Sequence, residues 1–326
     1  MGLNTKSSRC ILKHDKGIDY YVIAHLEEVQ CEMIKLLSII DRVCQENNIK
    51  YWLDGGTLLG ALRHNGFIPW DDDIDISILK ADYLKLISAL EKFCDNSSEY
   101  YLLYSHDNIN EHVCNFFCST KNLYGRSKGA FNTIPIKLDI RPVNVIKNTS
   151  SDILLNAELR GIANAFIYGA SRINYTELSQ EYRHLSKKEF FDFYNFHYGL
   201  EEVSDSSVLS FPYYEFASEG TLSCSIISSF VRHRFNGIDT YIPAGYDSYL
   251  KMLYGDYMKL PDMEHRAPAQ FEYISLNHTL GKQPYSAQGA NISSFGKLKN
   301  FIQIYGYGKF IMIAKERVGL AFNKIL

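Results

Sequence analysis

The sequence predicts an α+β protein in which a mixed sheet core is flanked by helices, with an additional, mainly helical C-terminal region. Apolar residues spaced three and four apart over 22–44 predict a long amphipathic helix. Aspartates that alternate with isoleucines over 73–76 predict a strand, and a similar alternation over 136–140 predicts another. Helical and strand patterns therefore follow each other along the chain.

The remaining elements are predicted in chain order from the same periodicities. Strands are expected over 49–53, 100–104, 113–119 and 134–146, and helices over 57–62, about 81–93, 152–168 and 246–254. Asp54 is placed to cap the helix over 57–62, and Gly255 to end the helix over 246–254. A mostly polar helical region over 175–200 and short strands and turns over 201–245 complete the prediction.

Composition limits the classes of protein to which this chain can belong. It has 326 residues and a formal net charge of -3, which is ordinary for a globular protein and argues against nucleic acid as a partner. Seven cysteines, an odd number, do not indicate a disulfide framework. The N-terminus lacks the apolar core of a signal peptide, and no stretch approaches the ~20 apolar residues of a membrane-spanning helix. We therefore expect a cytoplasmic location.

The most informative segment contains four aspartates within five residues, from Asp71 to Asp75. In a strand, the side chains of Asp73 and Asp75 point to the same face, while Ile74 and Ile76 enter the core. Two carboxylates about 4 Å apart repel each other by about 4 kcal/mol at an effective dielectric constant near 20. The pattern therefore predicts a divalent cation between them.

A diglycine turn, Gly55-Gly56-Thr57, precedes these aspartates, and Asp139 lies on a later predicted strand. This order is the ground plan of the nucleotidyltransferase fold. Glycines allow the backbone to approach phosphate oxygens, and the amides at a helix N-terminus add partial positive charge. We expect Asp73, Asp75 and Asp139 to be catalytic and to hold Mg²⁺ or Mn²⁺. Asp71 and Asp72 are expected to shape the approach, at least one of them in a structural role.

Residues 51–76 resemble the signature of the LicD family of phosphotransferases, which is related to the fukutin proteins. Residues 138–140 resemble a later strand of that family, although Arg141 stands where an apolar residue is usual. Residues 241–261 resemble its C-terminal block. The resemblance covers about residues 20–270.

The resemblance implies a catalytic domain over residues 21–275. We expect an N-terminal extension over 1–20 and a basic amphipathic region over 276–326.

The resemblance also implies transfer of a phospho-alcohol, such as phosphocholine, from a CDP-activated donor to a sugar hydroxyl, with release of CMP. The acceptor would be a bacterial glycan or a lipid-linked oligosaccharide, as in capsule, teichoic acid or lipopolysaccharide synthesis. Residues expected to bind the donor phosphates are Gly55, Gly56, Thr57, Arg63 and His64. Residues expected to contact substrate are Trp70, Tyr254, Lys259 and Arg266.

Several alternatives stay open at this point. Trp70 can instead belong to the core, and Lys259 and Arg266 can be solvated surface charges. A glycosyltransferase that uses a nucleotide-sugar and a metal, or a non-catalytic binding protein, would also carry an Asp-x-Asp motif. The tail over 297–326 holds six basic residues against one acidic residue. It either contacts the inner face of an anionic membrane or packs on the domain.

Overall fold

The computed structural model describes residues 10–104, 115–127, 130–167, 185–186, 189–190, 203–204, 206–211 and 221–275. Within these ranges, the largest unit is an eight-stranded mixed sheet flanked by helices, which confirms the predicted α+β class. The predicted C-terminal region 276–326 lies outside the described residues, and so does most of the predicted helical region 175–200.

Helices and strands are interspersed along the described ranges. The helices are α1 (Leu26–Glu46), α2 (Gly55–His64), α3 (Lys80–Asp95), α4 (Ser150–Ile167) and α5 (Tyr246–Tyr254). The strands are β1 (Ile11–Asp15), β2 (Ile18–Val22), β3 (Tyr51–Leu53), β4 (Asp75–Leu79), β5 (Tyr100–Tyr104), β6 (Asn115–Ser127), β7 (Ala130–Lys147), β8 (Ser207–Ser210), β9 (Thr221–Ser223), β10 (Phe230–Phe235), β11 (Ile238–Pro243) and β12 (Phe271–Ser275).

The central path of the large sheet is β12-β6-β7-β4-β3. β5 pairs with the first part of β6, β8 pairs with the end of β7, and β9 pairs with β8. β4 and β7 are parallel, whereas β3 is antiparallel to β4 and β6 is antiparallel to β7. The pairing of β4 with β7 therefore places the strand that carries Asp75 next to the strand that carries Asp139.

Helices α1 and α3 pack against each other and against the strands of this sheet. The predicted apolar stripe of α1 is confirmed, because its side chains at Val29, Met33, Leu36 and Ile40 are all buried. Ile74 and Ile76 are fully buried as well, which confirms the core face predicted for this segment. Burial of such apolar surface contributes roughly 25 cal/mol per Å².

The region before α1 differs from the sequence prediction. Residues 11–22 form an antiparallel hairpin, β1-β2, and Val22 belongs to its second strand instead of to the helix. Lys16 and Gly17 form the turn with φ values of 49° and 79°, the left-handed pair that a two-residue hairpin needs. Tyr20 and Val22 are both buried, so the hairpin follows a period of two, which the helix prediction overlooked.

Two corrections concern the site itself. α2 begins at Gly55, so the diglycine lies within its first turn instead of forming a separate turn before it. Asp73 lies in the segment before β4 and not in the strand, because β4 begins at Asp75. The predicted helix over 246–254 is confirmed as α5, and Gly255 follows it with a φ of 65° as the predicted C-cap.

Among the described helices, none is long and apolar enough to cross a membrane.

Candidate active site

Asp75 and Asp139 lie opposite each other on the parallel strands β4 and β7. The backbone N–H of Asp139 donates to the carbonyl of Ile74 at 2.9 Å, which fixes this register. Directly paired residues of neighbouring strands point to the same face of a sheet, and their backbones lie about 4.8 Å apart. The structure therefore brings together two of the three aspartates predicted to be catalytic, and both are buried.

Two basic side chains on β7 neutralise this pair. A guanidinium nitrogen of Arg141 lies 2.8 Å from Oδ1 of Asp75, and the ammonium of Lys137 pairs with Oδ1 of Asp139. Burial raises the pKa of the Asp75 carboxyl well above its usual range, and Arg141 opposes that shift. The neighbouring carboxylates of Asp73, Asp139 and Asp54 raise it further.

Asp71 and Asp73 extend the cluster from the segment that precedes β4. Their carboxyl groups lie close to each other, and Asp73 also accepts a hydrogen bond from Nε2 of Gln270 at 2.6 Å. Burial raises the pKa of Asp71 well above its usual range, with further contributions from Asp73, Asp72 and Asp75. Sequence reasoning did not include Asp71 in the site. The density of the run, four aspartates within five residues, is the signal that could have revealed it.

Asp72 has the structural role expected for one member of this run. Its carboxylate accepts the backbone N–H groups of Ala269, Gln270 and Phe271 at 3.1, 2.8 and 2.7 Å. Burial raises the pKa of Asp72 to about 6, although these backbone hydrogen bonds oppose the shift. Asp72 thereby fastens the start of β12 to the acidic segment.

The N-terminus of α2 meets the cluster through Asp54, Gly56 and Thr57. Asp54 caps the helix by accepting the backbone N–H of Gly55 at 2.8 Å, as predicted, and it also accepts from the hydroxyls of Ser77 and Tyr249. A Cβ atom added to Gly56 would lie 3.1 Å from Oδ2 of Asp71. The glycine therefore lets Asp71 approach the first turn of the helix closely.

Thr57 supports Asp75 directly. Its hydroxyl oxygen accepts the backbone N–H of Asp75 at 2.9 Å, and both residues are buried. The sequence analysis predicted Thr57 as a ligand of the donor phosphates. The structure shows a positioning contact for its hydroxyl, between the first turn of α2 and the first residue of β4.

Arg63 and His64 lie at the C-terminal end of α2, at the opposite end from the diglycine. The guanidinium of Arg63 donates to the carbonyls of Tyr257 and Lys259 at 2.9 and 3.3 Å, and to Nε2 of His64 at 2.9 Å. Burial lowers the pKa of His64 to about 4, with help from the Arg63 charge, so this imidazole is neutral at pH 7. These contacts hold the loop after α5 against α2. That Arg63 and His64 bind the donor phosphates stays a prediction.

Of the four residues expected to contact substrate, the structure places Tyr254 beside the cluster. The residue is 43% exposed. Burial around the hydroxyl raises its pKa, and the charges of Asp54, Asp71 and Asp75 add to this.

The other three residues have different surroundings. Trp70 is buried against Tyr20, with ring centroids 5.8 Å apart. Arg266 donates to the carbonyls of Pro261 and Asp19 at 2.8 and 3.1 Å, which ties the β1-β2 hairpin to the C-terminal block. Lys259 is exposed.

The donor chemistry of this cluster fits Mg²⁺, which prefers carboxylate oxygens. Oδ1 of Asp75 is buried and accepts no well-aligned hydrogen bond from the described residues, although Arg141 lies close to it. In the part of the chain that the structure describes, no three His, Cys, Asp or Glu side chains already converge as metal ligands. The carboxylates are gathered at one place, but their oxygens are turned toward Arg141, Lys137 and each other.

Comparison with known proteins gives this arrangement a context. Residues 48–124 match the family model described as LicD/FKTN/FKRP, nucleotidyltransferase domain. The resemblance to the LicD family is confirmed. The matched segment contains α2 and the whole acidic run from Asp71 to Asp75, whereas Asp139 follows it.

Individual relatives extend this likeness to different degrees. The lipopolysaccharide cholinephosphotransferase LicD of Haemophilus influenzae is 24% identical over 264 residues, which cover 74% of this chain and 95% of that protein. The uncharacterized protein RP689 of Rickettsia prowazekii is 46% identical over 61 residues, or 19% of this chain and 23% of that protein. The human ribitol 5-phosphate transferase FKRP is 50% identical over 40 residues, or 12% of this chain and 8% of that protein. Both relatives that are named for an activity are transferases of phosphorylated alcohols.

Proposed function

We propose that this protein transfers a phospho-alcohol from a CDP-activated donor to a sugar hydroxyl of a bacterial cell-surface glycan precursor, with release of CMP and with Mg²⁺ as cofactor. The observation that carries the proposal is the pairing of Asp75 with Asp139 across β4 and β7, with Asp71 and Asp73 beside them. Four carboxylates gathered in a half-buried place repel each other strongly, and such an arrangement is typical of a cation site.

In this proposal Asp73, Asp75 and Asp139 hold the cation, and Asp71 joins them as a further oxygen ligand. The bound cation would neutralise charge on the donor phosphates and on the attacking oxygen. Asp139 is also the residue that we propose accepts the proton of the acceptor hydroxyl. Phosphoryl transfer depends mainly on positioning and charge stabilisation, so residues that orient this cluster contribute as much as those that touch substrate.

The first turn of α2 is the proposed cradle for the donor phosphates. Gly55 has a φ of 50°, and Gly56 has no side chain to obstruct the approach from the side of Asp71. The partial positive charge of a helix N-terminus favours an anion there. Thr57 contributes by holding the backbone of Asp75, and the partly exposed Tyr254 is a residue that we expect substrate to contact.

The acceptor and the cellular location are part of the same proposal. The relatives named for an activity act on lipopolysaccharide or carry the name of a ribitol 5-phosphate transferase, which supports a glycan acceptor. We place the enzyme in the cytoplasm, where the basic tail over 297–326 would contact the membrane face on which lipid-linked precursors are assembled. That tail lies outside the described residues.

The test is release of CMP from a panel of CDP-alcohols, including the choline, glycerol and ribitol compounds, with Mg²⁺ and a native glycan extract. We expect CMP from at least one donor, loss of the activity with a chelator, and recovery when Mg²⁺ is restored. Asp262→Asn, which changes an exposed aspartate, serves as the control and should remain active. Absence of CMP from every donor would refute the proposal, and release of a nucleoside diphosphate from a nucleotide-sugar would favour a glycosyltransferase instead.

A further inference from the structure

Arg141 occupies an unexpected place at the centre of the acidic cluster. It follows Asp139 by two residues on β7 and is paired in register with Ser77 of β4, so its side chain emerges on the same face as Asp75 and Asp139. The Arg141 side chain is only 20% exposed. The segment that matches the family model ends at residue 124, so that match does not account for this guanidinium.

The contact between Arg141 and Asp75 is close but poorly directed. The guanidinium nitrogen lies 2.8 Å from Oδ1 of Asp75, yet this oxygen accepts no well-aligned hydrogen bond within the described ranges. By contrast, Arg232 donates hydrogen bonds from Nη1 and Nη2 to Oδ1 and Oδ2 of Asp41, at 2.7 and 3.0 Å. A bidentate pair is fixed by its geometry, whereas a misaligned pair mainly neutralises charge. This contact therefore neutralises the charge on Oδ1 of Asp75 without being a directed hydrogen bond.

A divalent cation at this cluster would compete with Arg141 for the same oxygen. The cation carries twice the charge of the guanidinium, and carboxylate oxygens are its preferred ligands. Once displaced, the guanidinium would still be attached to β7 beside the cluster, where its planar fork suits the oxygens of a phosphate. Tyr254, which we expect substrate to contact, also lies near Arg141.

We propose that Arg141 is a built-in counter-ion of Asp75 that a divalent cation displaces, after which its guanidinium binds the phosphate oxygens of the donor. The inference rests on the proposed function, because it assigns Arg141 a place in donor binding. It predicts effects of opposite sign on two ligands, since the same side chain opposes the cation and assists the phosphate.

The test measures two affinities in Arg141→Gln, with Arg234→Gln as a matched control at an exposed position of β10. Mn²⁺ alone, followed by electron paramagnetic resonance, should bind Arg141→Gln about tenfold more tightly than the unmodified protein, because a competing charge is gone. Inorganic pyrophosphate, added at saturating Mg²⁺, should bind about tenfold more weakly, because a charge-assisted hydrogen bond is lost. Arg234→Gln should change neither affinity. Unchanged or parallel shifts in Arg141→Gln would overturn the proposal.

A second measurement on the unmodified protein covers the case in which Arg141→Gln fails to fold. Phenylglyoxal labels accessible arginines, and peptide mapping reports the rate at each one. We expect Mn²⁺ to speed the labelling of Arg141 at least threefold, and pyrophosphate with Mg²⁺ to slow it again. Arg232, held by its bidentate pair, should show no such response. A rate at Arg141 that ignores both ligands would contradict the displacement.

These experiments separate this inference from the proposed function. Neither Mn²⁺ nor pyrophosphate requires the correct CDP-alcohol or acceptor. If both affinities shift as expected while no donor ever releases CMP, the counter-ion role stands and the proposed reaction fails. If CMP is released but Arg141→Gln leaves both affinities unchanged, the reaction stands and this inference fails.

Discussion

Asp41 and Asp75 are buried to the same extent, each 6% exposed, but their surroundings differ completely. Asp41, on α1, accepts two hydrogen bonds from Arg232, one from the hydroxyl of Tyr51 at 2.9 Å and one from Gln45. Hydrogen bonding to Asp41 raises the pKa of Arg232. A carboxylate with this many aligned donors is well compensated for its loss of water.

Asp75 has the opposite environment. Its nearest cation, Arg141, is misaligned, and its other charged neighbours are the carboxylates of Asp73, Asp139 and Asp54. A fold that can satisfy Asp41 so fully does not leave Asp75 in this state for the sake of stability. The difference teaches that burial alone does not distinguish a structural carboxylate from a functional one, whereas the sign and alignment of its neighbours do.

The largest expected effect is on activity in Asp75→Asn. Removing the charge deletes an attraction to the bound cation, and even two unit charges about 4 Å apart attract each other by about 4 kcal/mol at an effective dielectric constant near 20. That energy corresponds to about a thousandfold loss in the rate of CMP release. The melting temperature should stay unchanged or rise, because the variant no longer carries a charge that its carboxylate neighbours repel. A variant that kept full activity would show that Asp75 is not part of the site.

The same substitution at the other aspartate, Asp41→Asn, should have the reverse outcome. Breaking a buried ion pair costs about 3 kcal/mol, the lower end of the usual range because the Arg232 side chain is 35% exposed. Denaturant unfolding would report this loss. The rate of CMP release per folded molecule should be unchanged, and a large fall in that rate would remove the contrast between the two aspartates.

Some features around Asp75 could be predicted from local patterns in the sequence. Alternation of aspartate with isoleucine assigned Ile74 and Ile76 to the core, and the structure confirms both. The helix cap at Asp54 follows from a rule that involves only neighbouring residues, and it is confirmed as well. Such features could be predicted because the residues that determine them are close in the sequence.

Contacts between distant segments could not be predicted in this way. The partners of Asp72 lie almost two hundred residues later, at Ala269, Gln270 and Phe271, and no local period links them. The parallel register that aligns Asp75 with Asp139 depends on how β4 and β7 pair, which alternation within each strand leaves undetermined. Arg63 is a further case, because its acceptors in the loop after α5 become neighbours only in the fold.

Asp72 provides an intermediate test, because it is a structural carboxylate inside the functional run. Asp72→Ala would leave three backbone N–H groups without their acceptor and should lower the free energy of unfolding by about 2 kcal/mol. It should also weaken the hydrogen bond from Gln270 to Asp73. We therefore expect kcat/KM to fall about threefold, which corresponds to a rise of about 0.7 kcal/mol in the activation free energy. Asp262→Ala is the control, since it removes an exposed aspartate from the same C-terminal segment. Equal behaviour of the two variants would show that the fastening by Asp72 contributes little.

The smallest expected effect on stability concerns His64, which is a neutral, half-buried partner of Arg63, in contrast to the charged groups above. Its pKa is about 4 in the folded protein, below the usual 6.5 that applies to the unfolded chain. Above pH 6.5 the ring is neutral in both states. As the pH falls from 6.5 toward 4, the unfolded chain binds a proton that the folded protein does not, so the free energy of unfolding decreases. We expect this contribution to be about 1 kcal/mol, because the partly exposed ring is screened by solvent.

His64→Phe isolates this term, because phenylalanine keeps the aromatic contact with Trp70 but cannot bind a proton. Its unfolding free energy should fall less steeply than that of the unmodified protein between pH 6.5 and 4, with the difference growing to about 1 kcal/mol. His265→Phe, at an exposed ring, should leave the slope unchanged. If His64→Phe also kept the original slope, His64 would not be held neutral by the fold. A protonated His64 could then bind the donor phosphates. In that case the C-terminal end of α2 would be part of the functional site, like Asp75, and would not be purely structural, like Asp41.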